Sequence, residues 1–209
     1  MLSTFKQIPR GIWITFFAII GNSFGWSITA YMALFLHLHR GFSITQVGAI
    51  MAGFGIGALL GAFLSGYLTD RYPPHKICWI SLLVNSITIV IPFIHILPLM
   101  MLVTIIMGTS NSAFSPANRV YIMAICPIHL RTQITNIRYT VINIGIGCGI
   151  FFCSVLSQIS IIMPFFVNGV ILMGAGLYLK LHADSHSVTQ LQHESHDQSG
   201  SNNNSVPIA

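Results

Sequence analysis

Charged residues divide the first 180 positions into long runs that contain no Asp, Glu, Lys or Arg. The runs between Arg10 and Arg40 and between Arg40 and Asp70 have 29 residues each. Two longer runs, 77–118 and 139–179, have 42 and 41 residues. A membrane-spanning helix needs about 20 mostly apolar residues. The pattern therefore predicts one helix in each short run and two in each long run, six in all.

Prolines show where each long run divides. Pro92 and Pro98 flank a short segment, so we expect helix three to end beside the first and helix four to begin near the second. In the later run Pro164 marks the break. It separates helix five, predicted over about 134–157, from helix six, predicted over about 163–181.

The same pattern excludes strands and a cleaved leader. Period-two alternation is absent, and the runs are longer than the roughly 10-residue segments of a membrane barrel. The first run also exceeds the roughly 7–15 apolar residues of a signal peptide. We therefore expect an all-α membrane protein with a six-helix bundle over 11–183. A cytoplasmic segment, 1–10, precedes it, and a polar tail, 184–209, follows it and is expected to be disordered.

Charge changes the picture further, because only 6% of the 209 residues are charged, against roughly a quarter in soluble domains. All nine Lys and Arg residues precede residue 181, and Asp70 is the only acid in that part of the sequence. Arg40 is the only cation in the three alternate loops, so both termini are predicted to face the cytoplasm from the inner membrane. The cations mark helix ends beside the lipid bilayer and form no nucleic-acid footprint.

Small residues recur every four positions along the second predicted helix, at Gly53, Gly57, Gly61 and Ser65. This spacing puts them on one helix face. In lipid, such a strip lets another helix approach closely and gain van der Waals contact. We therefore predict a packing face here.

The segment that follows the strip carries an acid and a base at the end of an otherwise uncharged helix. It resembles the loop signature of the major facilitator superfamily, G-x-L-x-D-R-x-G followed by bases. The signature is matched at Gly66, Leu68, Asp70, Arg71 and Lys76. It departs at Pro73, where that family has glycine, and at Pro74, where it has a base.

A second resemblance lies in the fifth predicted helix. Arg138, Asn143, Gly145 and Gly149 are similar to the R-Y-x-x-I-N-x-G-x-x-x-G pattern of drug-efflux-like members of the superfamily, although Ile150 replaces its proline. With the loop motif, the resemblance covers residues 11 to about 182 in order. It implies the amino-terminal six-helix half of a transporter, built from two three-helix inverted repeats.

The resemblance also implies roles for charged and polar residues. Asp70 and Arg71 would belong to a gate at the cytoplasmic face. Arg119 and Arg138 would either extend to the interface or face a cavity and attract an anionic substrate or a partner acid. Asn143 is a further candidate for the cavity. Because the spans hold no acid, any acid that couples transport to protons would have to come from another chain.

Two functions compete on this basis. The first is secondary transport of a small organic solute, for example efflux. The six-helix half would pair with itself or with a separate second half to form the pathway. Alternatively it is a truncated, inactive remnant, and we favour truncation slightly. The second is a six-helix substrate-binding subunit of a larger transport complex, against which the Asp70 motif argues. The sequence predicts no enzyme, cofactor or metal site. The Gly21–Gly25 stretch matches G-x-S-x-G but lies within a helix, which favours close packing over catalysis.

Overall fold

The computed structural model describes the backbone of residues 10–202 and the side chains of residues 12–182. The helices are α1 (Arg10–Arg40), α2 (Ile44–Thr69), α3 (Pro74–Asn85, continued by a 3₁₀ helix over Ser86–Phe93), α4 (Leu97–Ile125), α5 (Arg131–Ile159, after a 3₁₀ turn over Ile128–Leu130) and α6 (Met163–Asn202). The described residues form no strand. Six helices are long and apolar enough to cross a membrane, which confirms the predicted fold class.

The turn between α1 and α2 depends on residues that follow Arg40. Gly41 has φ +68, a backbone conformation that side chains disfavour, and the N–H of Phe42 donates to the carbonyl of Leu36 at 3.2 Å. Ser43 then caps α2, because its Oγ accepts from the N–H of Gln46 while its own N–H donates to the Gln46 side chain. The chain therefore reverses direction between residues 40 and 44.

The third span changes from α to 3₁₀ geometry at Ser86. The hydroxyls of Ser86 and Thr88 each donate to the carbonyl three residues earlier, both at 2.6 Å, and Pro92 has no N–H to give. Such bonds favour the tighter turn of a 3₁₀ helix. The sequence had predicted the end of this span beside Pro92, and the helix ends at Phe93.

The sixth helix is longer than the sequence predicted. We expected it to end near Leu181 with a disordered tail from 184, whereas its helical backbone continues to Asn202. No Gly or Pro interrupts residues 177–199, so no residue there forces the helix to stop. The last part of the predicted tail, 203–209, and the segment 1–9 lie outside the described residues.

The helix contacts have the symmetry of two three-helix repeats. Helix α2 packs along α4, and α1 packs along α5. Helix α3 packs against α4 and α6, and α6 also packs against α1. If α1, α2 and α3 are exchanged with α4, α5 and α6, the first two contacts map onto each other. The contact of α3 with α4 maps onto that of α6 with α1, as inverted repeats require.

Large apolar side chains on the outside of the bundle face away from the core. Phe63 is 79% exposed and Phe151 is 65% exposed, whereas Phe114 and Phe165 in the core are buried. An exterior of this kind suits lipid tails, which are as apolar as the side chains themselves. The chain is therefore described below as a membrane protein.

Candidate functional site

Arg138 is buried in the bundle although its helix lies partly at the surface. The side chain is only 4% exposed. Its Nε donates to Oδ1 of Asn118 at 3.3 Å, and Nη2 donates to the hydroxyl and the carbonyl of Ser115 at 2.8 and 3.1 Å. These partners are on α4 and are neutral. They hold the guanidinium in place but leave its charge without a counterion.

A cleft of about 60 Å³ opens beside this guanidinium, between α1, α4 and α5. Its lining residues are Ile19, Asn22, Ser23, Trp26, Phe114, Ser115, Arg138 and Ile142. Trp26 is 43% exposed, and Ser115 is also exposed, so the cleft reaches the surface of the bundle. It combines one cation and several hydrogen-bonding groups with apolar walls.

The other two cavity candidates lie on the surface. Arg119 is exposed on α4, one turn beyond Ser115. Asn143 is exposed on α5, and its Nδ2 donates to the carbonyl of Tyr139 at 3.0 Å. Neither residue lines the cleft. The structure therefore separates the three candidates, with Arg138 inside and the other two outside.

The predicted gate residues occupy the loop between α2 and α3. Asp70 is the C-cap of α2, and Asp70, Arg71 and Lys76 are all exposed. Arg71 lies over the ring of Tyr67, with Cζ 4.4 Å from the ring centroid, a cation–π contact. Within residues 12–182, no side chain forms an ion pair with Asp70. In this conformation the acid is free to find a partner outside the described bundle.

Gly66, the first residue of the loop motif, has open space where a side chain would be. No atom lies within 4 Å of a β-carbon built on it. The residue before it does contact α4, because Ser65 Oγ donates to the carbonyl of Ala113 at 2.7 Å. The close contact between α2 and α4 thus ends one residue before the loop motif begins.

The glycine strip of α2 lies directly on α4. A β-carbon on Gly57 would overlap the carbonyl oxygen of Ile105, and one on Gly61 would overlap that of Thr109. Gly53 is less tight, since the nearest atom, Oγ1 of Thr104, is 3.4 Å from the built β-carbon. The two backbones therefore touch along this strip, as in other small-residue helix contacts in membranes.

Helix α5 uses its glycine pair against α1. A β-carbon on Gly145 would meet Ser23 at 2.7 Å, and one on Gly149 would overlap the hydroxyl of Ser27. That hydroxyl donates to the carbonyl of Ile146 at 2.9 Å, a bond between the two helices. Ser23, the centre of the G-x-S-x-G match, is thus a packing residue and lines the cleft beside Arg138.

Sequence reasoning missed the asparagines of the interior. Asn22 contributes to the cleft, Asn118 holds Arg138, and Asn85 and Asn111 meet beside Gly25. Asn85 and Asn111 are each 1% exposed, and their amide atoms have no hydrogen-bond partner among the described residues. The signal was present in the sequence, because an amide within an apolar span requires a polar partner.

Comparison with known proteins identifies the class to which this architecture belongs. The family model described as Major Facilitator Superfamily matches residues 15–202. The chain therefore belongs to the major facilitator superfamily, and its described residues include six helices able to cross a membrane. The match is to the superfamily as a whole, so the drug-efflux branch indicated by the sequence of α5 stays a prediction.

Two relatives show how the chain compares in length. It is 25% identical over 179 residues to the uncharacterized MFS-type transporter YqjV of Bacillus subtilis (strain 168), covering 81% of this chain and 43% of that protein. Its fold is similar to the crystal structure of the POT family transporter PepTSo, with a TM-score of 0.73, 17% identity, and coverage of 85% of this chain and 38% of the other. The chain spans about two-fifths of the length of either protein.

Proposed function

We propose that this chain forms the amino-terminal half of a secondary transport pathway for a small organic solute, and that a second six-helix half completes the pathway. The observation that carries the proposal is the cleft beside Arg138, which opens on the side of a six-helix bundle of the superfamily. Transporters of this kind bind their solute between two halves, near the middle of the bilayer. A cleft on the side of one half is suited to that position.

The exposed amide of Asn143 on α5 supports a covering half. Asn143 lies twelve residues after the start of α5 at Arg131, which is about 18 Å along the helix axis. It is therefore deep in a hydrocarbon core of about 30 Å. An exposed amide at that depth is unfavourable against lipid and is stabilised by protein or water. We propose that the second half, either another copy of this chain or a separate chain, covers it.

The exposed loop after α2 supports a gating role. Asp70 and Arg71 lie at the end of the close contact between α2 and α4, and Asp70 has no ion-pair partner within residues 12–182. An acid that meets the amino terminus of another helix gains about 0.3–1 kcal/mol. An interaction of that size biases two conformations without fixing either. We propose that Asp70 gains its partner in the second half in one of the two conformations.

Release of dye from proteoliposomes tests the proposal. The chain is reconstituted in phosphatidylcholine vesicles loaded with an anionic dye, carboxyfluorescein, or a cationic dye, rhodamine 6G. We expect wild-type protein to release at least one dye and Asp70→Asn to release neither. Absence of release by the wild-type protein, relative to protein-free vesicles, would reject transport by paired copies of this chain, whereas equal release by the two proteins would reject only the gating role of Asp70. The same comparison with a separately encoded six-helix half present then tests the two-chain form.

A further inference from the structure

The positive charge of Arg138 has no negative charge near it among the described residues of the bundle. The guanidinium is 4% exposed and is held by Ser115 and Asn118, which are neutral. The only acid in residues 12–182 is Asp70, which is exposed at the end of α2 and forms no ion pair with any residue in that range. A buried cation without a counterion is costly, and in membrane spans such residues mark substrate or ion pathways.

The fixed hydrogen bonds of Arg138 leave one side of the guanidinium open. Nε and Nη2 are used by α4, whereas Nη1 donates to no acceptor among the described residues. Arg119 follows Asn118 directly on α4 and adds a second positive charge to this part of the helix. Arginine binds carboxylate and phosphate through charge-assisted hydrogen bonds. The open nitrogen therefore has the chemistry of an anion receptor.

Asn22 adds a second, independent indication at the same place. It lines the cleft from α1, is 6% exposed, and has a buried Oδ1 without a hydrogen-bond partner among the described residues. The amide nitrogen and oxygen of an asparagine can exchange places by a flip of the side chain. With its nitrogen toward the cleft, the amide donates a hydrogen bond to an anion there. An amide donor and a guanidinium that line the same cleft can bind one anion together.

The size of the cleft limits what enters it. A volume of about 60 Å³ is room for roughly four to six water molecules, which suits a carboxylate or phosphate group. Trp26, which is 43% exposed, and Phe114 and Ile142 are among the larger apolar residues of its lining. The rest of the solute would therefore extend along an apolar surface toward the second half.

From this geometry we infer that the cleft is the subsite for the anionic group of the solute, which is an organic anion with an apolar body. The inference rests on the proposed transport function and gives the chemical class of its substrate. Arg138 binds the anionic group, and Ser115 and Asn118 position Arg138.

Fluorescence of Trp26 provides a direct test on the purified chain. Trp13 and Trp79 are replaced by phenylalanine so that Trp26 is the reporter, and the protein is placed in phosphatidylcholine nanodiscs. Benzoate is titrated against benzamide, its uncharged counterpart. We expect benzoate to bind at least about tenfold more tightly, since hydrogen bonds to charged groups are the stronger kind. Equal affinity for the two compounds would overturn the inference, with no variant needed.

Two matched variants assign the preference to Arg138. Arg138→Gln should abolish it, whereas Arg131→Gln, the same change at an exposed position of α5, should retain it. Without ligand, Arg138→Gln should melt at or above the wild-type temperature, because it removes an unpaired buried charge. A lower melting temperature together with an unchanged preference for benzoate would make Arg138 a purely structural residue and overturn the inference.

Two further outcomes separate this inference from its alternatives. If phosphatidylglycerol in the nanodisc competes with benzoate, the natural occupant is an anionic lipid headgroup, and the assignment to a solute is wrong. Transport of carboxyfluorescein and rhodamine 6G at equal rates, without a preference for benzoate, overturns this inference and leaves the transport function standing. A clear preference for benzoate without any transport supports the anion subsite and rejects the proposed transport function.

Discussion

Gly57 lies so close to Ile105 that a β-carbon on the glycine would overlap the carbonyl oxygen of the isoleucine. The same is true of Gly108 on α4, whose β-carbon would overlap the carbonyl oxygen of Phe54 on α2. Each of the two helices therefore has a glycine that lies against the backbone of the other helix. Since interiors transmit strain and tolerate little added volume, this seam fixes the distance between α2 and α4.

Substitution at the seam should be costly, and the neighbouring glycine provides the control. Gly57→Ala is expected to destabilise the bundle by about 1–3 kcal/mol or more, because the obstacle is backbone, which cannot rotate aside. Gly55→Ala, on the open face of the same helix, should change stability by less than about 1 kcal/mol. Thermal unfolding of the two variants in detergent measures the difference. Equal melting temperatures would contradict the contact.

The seam between α1 and α5 should permit a compensating substitution. Gly149→Ala would overlap the side chain of Ser27, whereas the next atom, Cα of Phe24, is 3.5 Å from the added carbon. We therefore expect Ser27→Gly to restore most of the stability lost in Gly149→Ala. The double variant would still lack the bond from Ser27 to Ile146, worth roughly 0.6–1.7 kcal/mol. Gly147→Ala, with no atom within 4 Å, is the control.

A failure of Ser27→Gly to rescue Gly149→Ala would show that the two helices pack differently. The informative quantity is the coupling in the double-mutant cycle, since contacting residues are not additive. We expect that coupling to be favourable and larger than the cost of Ser27→Gly alone.

Labelling of single cysteines should reveal the orientation of the chain. Arg40 Nη1 donates to a ring nitrogen of His95 at 3.1 Å, so these residues lie at one end of the bundle. We expect His95→Cys to react with an impermeant maleimide from outside the cell. Lys76→Cys and His129→Cys, both at exposed positions, should react only after the membrane is opened. External labelling at position 76 would reverse the predicted topology.

The native cysteines require attention in that experiment. Cys126 lies at the end of α4, and burial raises the pKa of its thiol, although nearby Arg131 lowers it. A raised pKa leaves less thiolate near pH 7, and the thiolate is the reactive form. Cys126 should therefore label slowly, and faster as the pH rises. A chain without native cysteines is the control.

Asp70→Asn should separate folding from transport. Because Asp70 is exposed and makes no ion pair within residues 12–182, the substitution should change the stability of the bundle by no more than about 0.5 kcal/mol. Membrane insertion should also be normal, whereas dye release from proteoliposomes should be lost. Thermal unfolding and release are measured on the same preparation. Unchanged release by the variant would remove Asp70 from the gate.

Much of the secondary structure could be predicted from the positions of charges and prolines. The predicted start of helix six at 163 agrees with α6, and helix five, predicted over about 134–157, lies within α5 (Arg131–Ile159). The predicted span of helix six, about 163–181, agrees with the apolar part of α6, Met163–His182, whereas the helical backbone continues to Asn202 because no helix-breaking residue occurs in residues 177–199. The contribution of Ser27, which bonds across to α5, was not predicted at all.

The sequence by itself determined that six apolar helices cross a membrane, because a segment of that length and hydropathy has no other stable form in lipid. It also determined which faces carry glycine. Only the tertiary structure decided that Arg138 is buried while Arg119 and Asn143 are exposed. Helices that are apolar all round give no sign of which face is inside. The neighbouring helix decides which face of α5 is buried. Here Ser115 and Asn118 on α4 hold the guanidinium of Arg138 beside the cleft.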